Sequence, residues 1–246
     1  MTDVDERLRR WWDEDARTYD ESPSHALGDP VEAACWRAAL VRHLPAPPAS
    51  VLDVGAGTGA ISLLLAGLGY DVTALDLSPE MLSRATRKAE ARRLRLRTII
   101  GPATGPPDGP FDAVVERHLL WTTPDPVAAL AAWRAAAPRG RLVLFEGIFA
   151  RTRPLDQARN RLTNATRRVQ GTAHDHHAPY DPVVLDSLPL ANATTLEPLM
   201  NAVDAAGWSN VRVERLRDVE WARRQAAGAV LGWLEHVPRF AVIAEA

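Results

Sequence analysis

The sequence predicts an α/β fold in which a doubly wound, mostly parallel sheet carries helices on both faces. Three observations predict it. Strand-like and helix-like patterns alternate from residue 50 onward, the arrangement that joins parallel strands through crossover helices. The strand pattern from Ser50 to Val54 runs straight into a turn with three alternating glycines, Gly55, Gly57 and Gly59, where bare backbone can approach a ligand and reach φ values other residues avoid. Two late segments, Asn210 to Arg217 and Arg239 to Glu245, alternate as an antiparallel pair closing one sheet edge.

Taken in order, residues 4 to 20 and 30 to 43 read as two helices ahead of the sheet, the second opened by Asp29 and Pro30. Ser50 to Val54 is strand one, and Thr58 to Leu68 is the helix leaving the glycine turn, stopped by Gly69. Strand two is Asp71 to Asp76. Ser78 as N-cap and Pro79 at the first helical position start a helix through about Arg92. Arg95 to Ile100 is strand three, the stretch GPATGPPDGP at 101 to 110 is a loop, and Phe111 to Glu116 is strand four. Asp125 and Pro126 open a helix to about Ala137, followed by strand five from Arg141 to Phe145. Residues 151 to 195 are too many for an idle connection and read as a substrate cap. Thr195 then caps a helix with Pro198 in its first turn, and Gly207 stops it. The whole is one domain: an N-terminal helical lid at 1 to 48, a core at 49 to 150, the cap, and a closing helix and strands at 196 to 246.

Composition narrows the function. A chain of 246 residues with 46% hydrophobic and 24% charged residues is ordinary for a soluble globular protein. The formal net charge is -2, Lys88 is the only lysine, and the arginines are scattered rather than gathered into a stripe that would suit nucleic acid. Cys35 stands alone, which excludes an intramolecular disulfide and a cysteine metal site and points to a reducing cytoplasm. The opening MTDVDERLRRWWDEDA lacks the apolar stretch of a signal peptide. No segment approaches the roughly 18 uninterrupted apolar residues of a membrane span.

The acid at Asp53 sharpens the reading of the turn. A carboxylate aimed there repels a pyrophosphate and suits a ligand carrying an ammonium and a sulfonium, so S-adenosylmethionine fits better than a dinucleotide. Four ordered segments carry a resemblance: VLDVGAGTGAIS at 51 to 62, ALDLSPEML at 74 to 82, FDAVVERHLLW at 111 to 121 and RLVLFEG at 141 to 147. From about Trp12 onward the chain resembles a class I S-adenosylmethionine-dependent methyltransferase of the small-molecule, specialised-metabolism group. The resemblance implies a Rossmann-like seven-stranded sheet with an antiparallel last strand, and S-adenosylmethionine as cofactor with S-adenosylhomocysteine as product.

It also implies roles. Asp53, Gly55, Ala56 and Gly57 hold the methionine part, with Asp53 favouring its ammonium directly or through water; Asp76 accepts both ribose hydroxyls; Leu77 and Met81 flank the adenine. Where the family commonly has Gly-Asp-Ala after strand three, this chain has Gly101, Pro102 and Ala103. Adenine recognition then falls to backbone groups near Ala103 and Thr104 or to another side chain. Arg117 sits where the chain usually crosses the cofactor. Trp12 and Tyr19, in WDEDARTYD, match a lid that closes over it, or else form a core-packing helix face.

Methyl transfer is an in-line displacement, so positioning supplies much of the acceleration and a general base is optional. The candidates for a base are His118, and His174, Asp175, His176, His177 and Tyr180 in the cap, with His177 and His118 the first choices. Trp12, Trp121, Phe149, His176 and Tyr180 would build a slot for an aromatic acceptor. The adjacent cap histidines are awkwardly placed for metal ligation and only Glu116 lies near the strand end that a magnesium site would use, so no metal is expected. The predicted activity is methylation of a small aromatic or amine-bearing metabolite at oxygen, nitrogen or carbon. The alternatives are a catalytically inactive cofactor-binding regulator and an NAD(P)-dependent oxidoreductase, the latter because Gly55, Gly57 and Ala60 also satisfy G-x-G-x-x-A.

Overall fold

In a computed structural model, residues 2–148, 159, 161–163, 166, 180–234 and 237–246 are described. The chain opens with helix α1 (Asp3–Asp15), where the Thr2 hydroxyl accepts from the Asp5 amide at 3.1 Å and the Asp5 carboxylate accepts from the Thr2 amide at 2.7 Å. This reciprocal cap satisfies amides that the helix itself leaves open. The single helix expected over 4 to 20 is therefore shorter, ending at Asp15 and giving way to a 3-10 turn at Tyr19–Glu21. Asp20 in that turn bonds Thr58 and Lys88, and these tertiary bonds override the local preference for helix. The short α2 (Pro23–Ala26) and α3 (Pro30–His43) follow, with Asp29 capping α3 as expected.

The sheet and its helices then alternate: β1 (Ser50–Val54), α4 (Ala60–Gly67), β2 (Asp71–Asp76), α5 (Pro79–Ala91), β3 (Arg97–Ile100), β4 (Ala113–Arg117), α6 (Pro126–Ala136) and β5 (Arg141–Gly147). After residue 180 come α7 (Pro182–Asp186), α8 (Glu197–Ala205), β6 (Ser209–Arg215), α9 (Arg217–Ala226), α10 (Ala229–Leu234) and β7 (Arg239–Glu245). The strand order is β3-β2-β1-β4-β5-β7-β6, with β7 antiparallel to both neighbours and the other pairs in the sheet parallel. The predicted seven-stranded sheet with its antiparallel last strand is what the structure has. Two details differ. Leu196, not Thr195, is the N-cap residue of α8 and makes no side-chain cap bond. The sequence reading assigns no element between the last two strands, where α9 and α10 lie.

Strand alternation divides the core. Val51 packs with Trp36, Leu40, Leu65 and Phe145 on one face, while Leu52 and Val54 pack with Leu130, Trp133 and Trp208 on the other. Strand order reverses between β1 and β4, which opens a crevice at their carboxyl ends, the usual position for a ligand in an open α/β sheet. No helix among the described residues is long and apolar enough to cross a membrane.

Candidate active site

The crevice is a cleft of about 830 Å³, part of it open to solvent. Its floor is the glycine turn. Gly55 (φ +67°) has no room for a side chain, because a Cβ there would lie 2.7 Å from the Leu119 Cδ1 atom. Gly57 (φ +56°) differs: the nearest atom to its Cβ would be the Gly55 carbonyl oxygen at 4.0 Å, so the bare backbone faces open space. Among the described residues, Tyr19, Gly55, Gly57, Asp76, Leu77, Met81, Ala103, Thr104 and Arg117 all line the cleft, as do Trp12 and His118.

Asp76, at the end of β2, is held rigidly. One carboxylate oxygen accepts from the Gly57 amide and the other from the Ser78 amide, both at 2.8 Å. Burial pushes its pKa up to about 6, against the pull of those two amides.

Asp53 and Ala56 do not line the cleft. Asp53 shares the face of β1 that carries Val51, so its side chain turns beneath the floor, where it accepts from the Ser62 hydroxyl of α4 at 2.5 Å. It is 1% exposed, and burial raises its pKa to about 7. Ala56 packs with Ala74 and Leu82.

Beyond β3, Gly101 and Pro102 line the cleft with Ala103 and Thr104, and the Ala103 carbonyl accepts from Trp133 Nε1 at 2.7 Å. The N-terminal segment forms the wall facing this one. Tyr19 stacks on His25, with ring centroids 4.1 Å apart, and meets Trp12 edge-on at 6.0 Å. The next residue, Asp20, accepts from the Thr58 hydroxyl at 2.7 Å and from Lys88 Nζ at 2.9 Å, while Asp13 accepts from the Ser78 hydroxyl at 2.5 Å. These bonds pin the N-terminal segment to the glycine turn and to α5. Sequence reasoning missed Asp13 and Asp20, although the single lysine of the chain was a visible signal for a charged anchor.

The rear wall is a buried charged array. His118 adopts φ +61°, with Nδ1 3.3 Å from the Glu146 carboxylate and Nε2 2.6 Å from Arg239 Nη1. Since a guanidinium only donates, Nε2 is the acceptor, and the proton belongs on Nδ1, facing Glu146. Burial and the Arg239 charge hold the His118 pKa well below its ordinary value. Its lone pair is thus already engaged, which counts against His118 as a base. Glu146 is pushed up to about 8 by burial, and Glu116 is raised by burial and by the neighbouring Glu146.

Beside the cleft, Tyr180 lies 4.4 Å from Trp11 and 6.0 Å from Trp121 by ring centroids. Two donors in this group, Trp121 Nε1 and the Tyr180 hydroxyl, are buried without a hydrogen-bond partner. Neither residue is among those lining the cleft, but Tyr180 also meets the cleft-lining Trp12 edge-on at 6.3 Å. Phe149, His174, Asp175, His176 and His177 lie outside the described residues. Among the described residues no group of three histidines, cysteines or acids is placed to hold a metal. Bare backbone at Gly57, a fixed carboxylate at Asp76 and apolar walls at Leu77 and Met81 together fit a nucleoside bearing a polar tail.

Residues 52–144 match the sequence family described as a methyltransferase domain. The chain is 37% identical over 142 residues to the ubiquinone biosynthesis O-methyltransferase of Xanthomonas campestris pv. campestris strain B100, a match covering 55% of each chain. It is 39% identical over 117 residues to the demethylmenaquinone methyltransferase of Thermus thermophilus, covering 45% of this chain and 53% of that one. The chain thus spans about half the length of these relatives. In three dimensions it superposes on phosphoethanolamine N-methyltransferase 2 of Haemonchus contortus, solved with S-adenosylhomocysteine, with a TM-score of 0.65 and 15% identity over 100% of this chain and 60% of the other. At that identity the likeness is one of fold.

Proposed function

We propose that this chain, which belongs to the class I S-adenosylmethionine-dependent methyltransferases, moves the donor's methyl group to a small acceptor that is aromatic or amine-bearing. One observation carries the reading: the open Gly57 backbone and the Asp76 carboxylate face the same cleft at the β1/β4 reversal. When bound there, the donor supplies a methyl on a positively charged sulfur. Asp76 would accept from the ribose hydroxyls, the bare Gly57 backbone would hold the amino-acid part, and Leu77 and Met81 would enclose the base. Trp12 and Tyr19 exclude water from the reacting centre.

The acceptor class rests on the aromatic group beside the cleft. Flat rings at Trp11, Trp121 and Tyr180 suit a flat molecule, and two unpartnered donors suit one with oxygen acceptors. The relatives' names, which refer to ubiquinone biosynthesis and demethylmenaquinone, agree with a ring acceptor. The test is incubation with methyl-labelled donor and a panel of phenols, amines and indoles, followed by mass detection of labelled product. Calorimetric titration with S-adenosylhomocysteine and NAD runs alongside. Absence of heat with the former and tight binding of the latter would overturn the assignment.

A further inference from the structure

We propose that the arginines at the end of α5 and the start of β3 form a docking surface for a bilayer carrying anionic phospholipids. Most arginines are spread along the chain, yet seven of its 29 basic residues and only one of its 31 acids fall within residues 84–97. That segment carries +6 and the remainder -8, against a total of -2. The fold holds these charges at one corner. α5 ends in a tight turn, where the Arg93 amide donates to the Glu90 carbonyl and the Leu94 amide to the Ala89 carbonyl, both at 2.9 Å, and the chain enters β3 at Arg97. Arg93 takes φ +56° there, a left-handed position that usually falls to glycine.

Lys88 is bonded to Asp20 at 2.9 Å. Among the described residues, Arg84, Arg87, Arg92, Arg93, Arg95 and Arg97 make no ion pair and no side-chain hydrogen bond, although Glu80 and Glu90 lie on the same helix and Asp71 on the neighbouring strand. All but the half-buried Arg84 are exposed. Their charges also reach one another: burial, with the charges of Arg92 and Arg84, lowers the Lys88 pKa. A helix C-terminus and an open sheet edge each favour a cation, but six unpaired ones repel, and a facing anionic surface relieves that repulsion.

Position and composition select a bilayer as that surface. Residues 79–100 contain no aromatic side chain on which a nucleic-acid base could stack. Residues 84–97 expose no large apolar side chain to form the desolvated centre of a protein interface. The patch lies at the end of the sheet opposite the cleft, because Arg97 begins β3 whereas Ile100 ends it beside the cleft-lining Asp76. A flat anionic surface meets this corner alone, while a polyanion that wraps the chain meets the negative remainder. Docked in this way, the cleft faces away from the bilayer and stays open to the donor.

The test is co-sedimentation of the full chain with vesicles of phosphatidylcholine alone and of equal parts phosphatidylcholine and phosphatidylglycerol, at about 0.1 M and about 0.5 M salt. Expected is binding to the mixed vesicles alone, released at the higher salt. The double variant Arg92→Gln/Arg95→Gln should bind them at least about tenfold more weakly, while binding S-adenosylhomocysteine as the parent does. Arg212→Gln/Arg217→Gln, which removes two exposed charges at the opposite sheet edge, should bind vesicles within about twofold of the parent. No sedimentation with mixed vesicles, equal sedimentation with neutral ones, or equal losses in the two double variants overturns the proposal. So does tighter binding of duplex RNA than of mixed vesicles at matched phosphate and salt. Donor binding is read separately, so failure here is distinct from failure of the methyl-transfer reading.

Discussion

Replacing Asp76 with asparagine separates a carboxylate that grips a ribose from one that merely ties off a turn. The two Asp76 oxygens accept from Gly57 and Ser78, whereas asparagine offers one acceptor oxygen and turns an N–H group toward the other amide. A charge-assisted bond contributes roughly 1.5–3 kcal/mol, so losing it to the ligand predicts S-adenosylhomocysteine binding weaker by about 10- to 100-fold near pH 8. The pH dependence makes the test sharper. Burial places the Asp76 pKa at about 6, so in the free protein the accepting anion is present above that pH and fills with a proton below it. Relative to the asparagine variant, which cannot titrate at this position, parental affinity should therefore fall about tenfold from pH 8 to about pH 5. Asp53 titrates in both proteins and cancels from the ratio. Isothermal titration calorimetry across that range gives both curves. A parent-to-variant ratio that does not change with pH, or equal affinities at the alkaline end, would refute the assignment of Asp76 to the donor.

Asp53→Asn should reveal a pH-dependent stability. The folded-state pKa of Asp53 is raised to about 7, so between about pH 4 and 7 the folded chain holds a proton that the unfolded chain has shed, and stability falls as pH rises through that window. Relative to the variant, the parent should lose about 2–3 kcal/mol between about pH 5 and 8 in urea unfolding, and a pH-independent gap would contradict this. Lys88→Met unpins Asp20 and should weaken S-adenosylhomocysteine binding by about fivefold, the size of a half-buried ion pair, with the difference shrinking in high salt. Tyr180→Phe keeps the ring and Trp121→Phe keeps an aromatic ring of smaller size, and both remove the buried donors, so each should raise acceptor KM by about fivefold and leave donor affinity unchanged. An unaltered acceptor KM in both would remove these donors from the acceptor site.

What the sequence made legible was local. Ser78 caps α5 by accepting from the Met81 amide, and Asp125 caps α6 by accepting from Ala128, because a cap needs only residues two or three positions away. The glycine turn and Asp76 were legible for the same reason: a strand end, a turn and an acid at the next strand end sit in one βαβ unit. Contacts between distant segments were not. Asp20 meets Lys88 across 68 positions and His118 meets Arg239 across 121, and no periodicity signals either pairing. Asp53 shows the limit within a single strand. Residue type suggested a role at the ligand, but the two-residue repeat of β1 puts its side chain on the Val51 face, under the floor.

The position of β7 between β5 and β6 governs the order in which this sheet is completed. Six strands precede it in synthesis, yet β6 has no neighbour to join until the final strand slots in between. The first five strands, β1 to β5, can assemble while the chain is still emerging. Arg239 is the first residue of the strand that arrives last, so the partner that fixes the His118 ring is delivered at the end of folding. Completion of the cleft's back wall thereby depends on closure of the far edge.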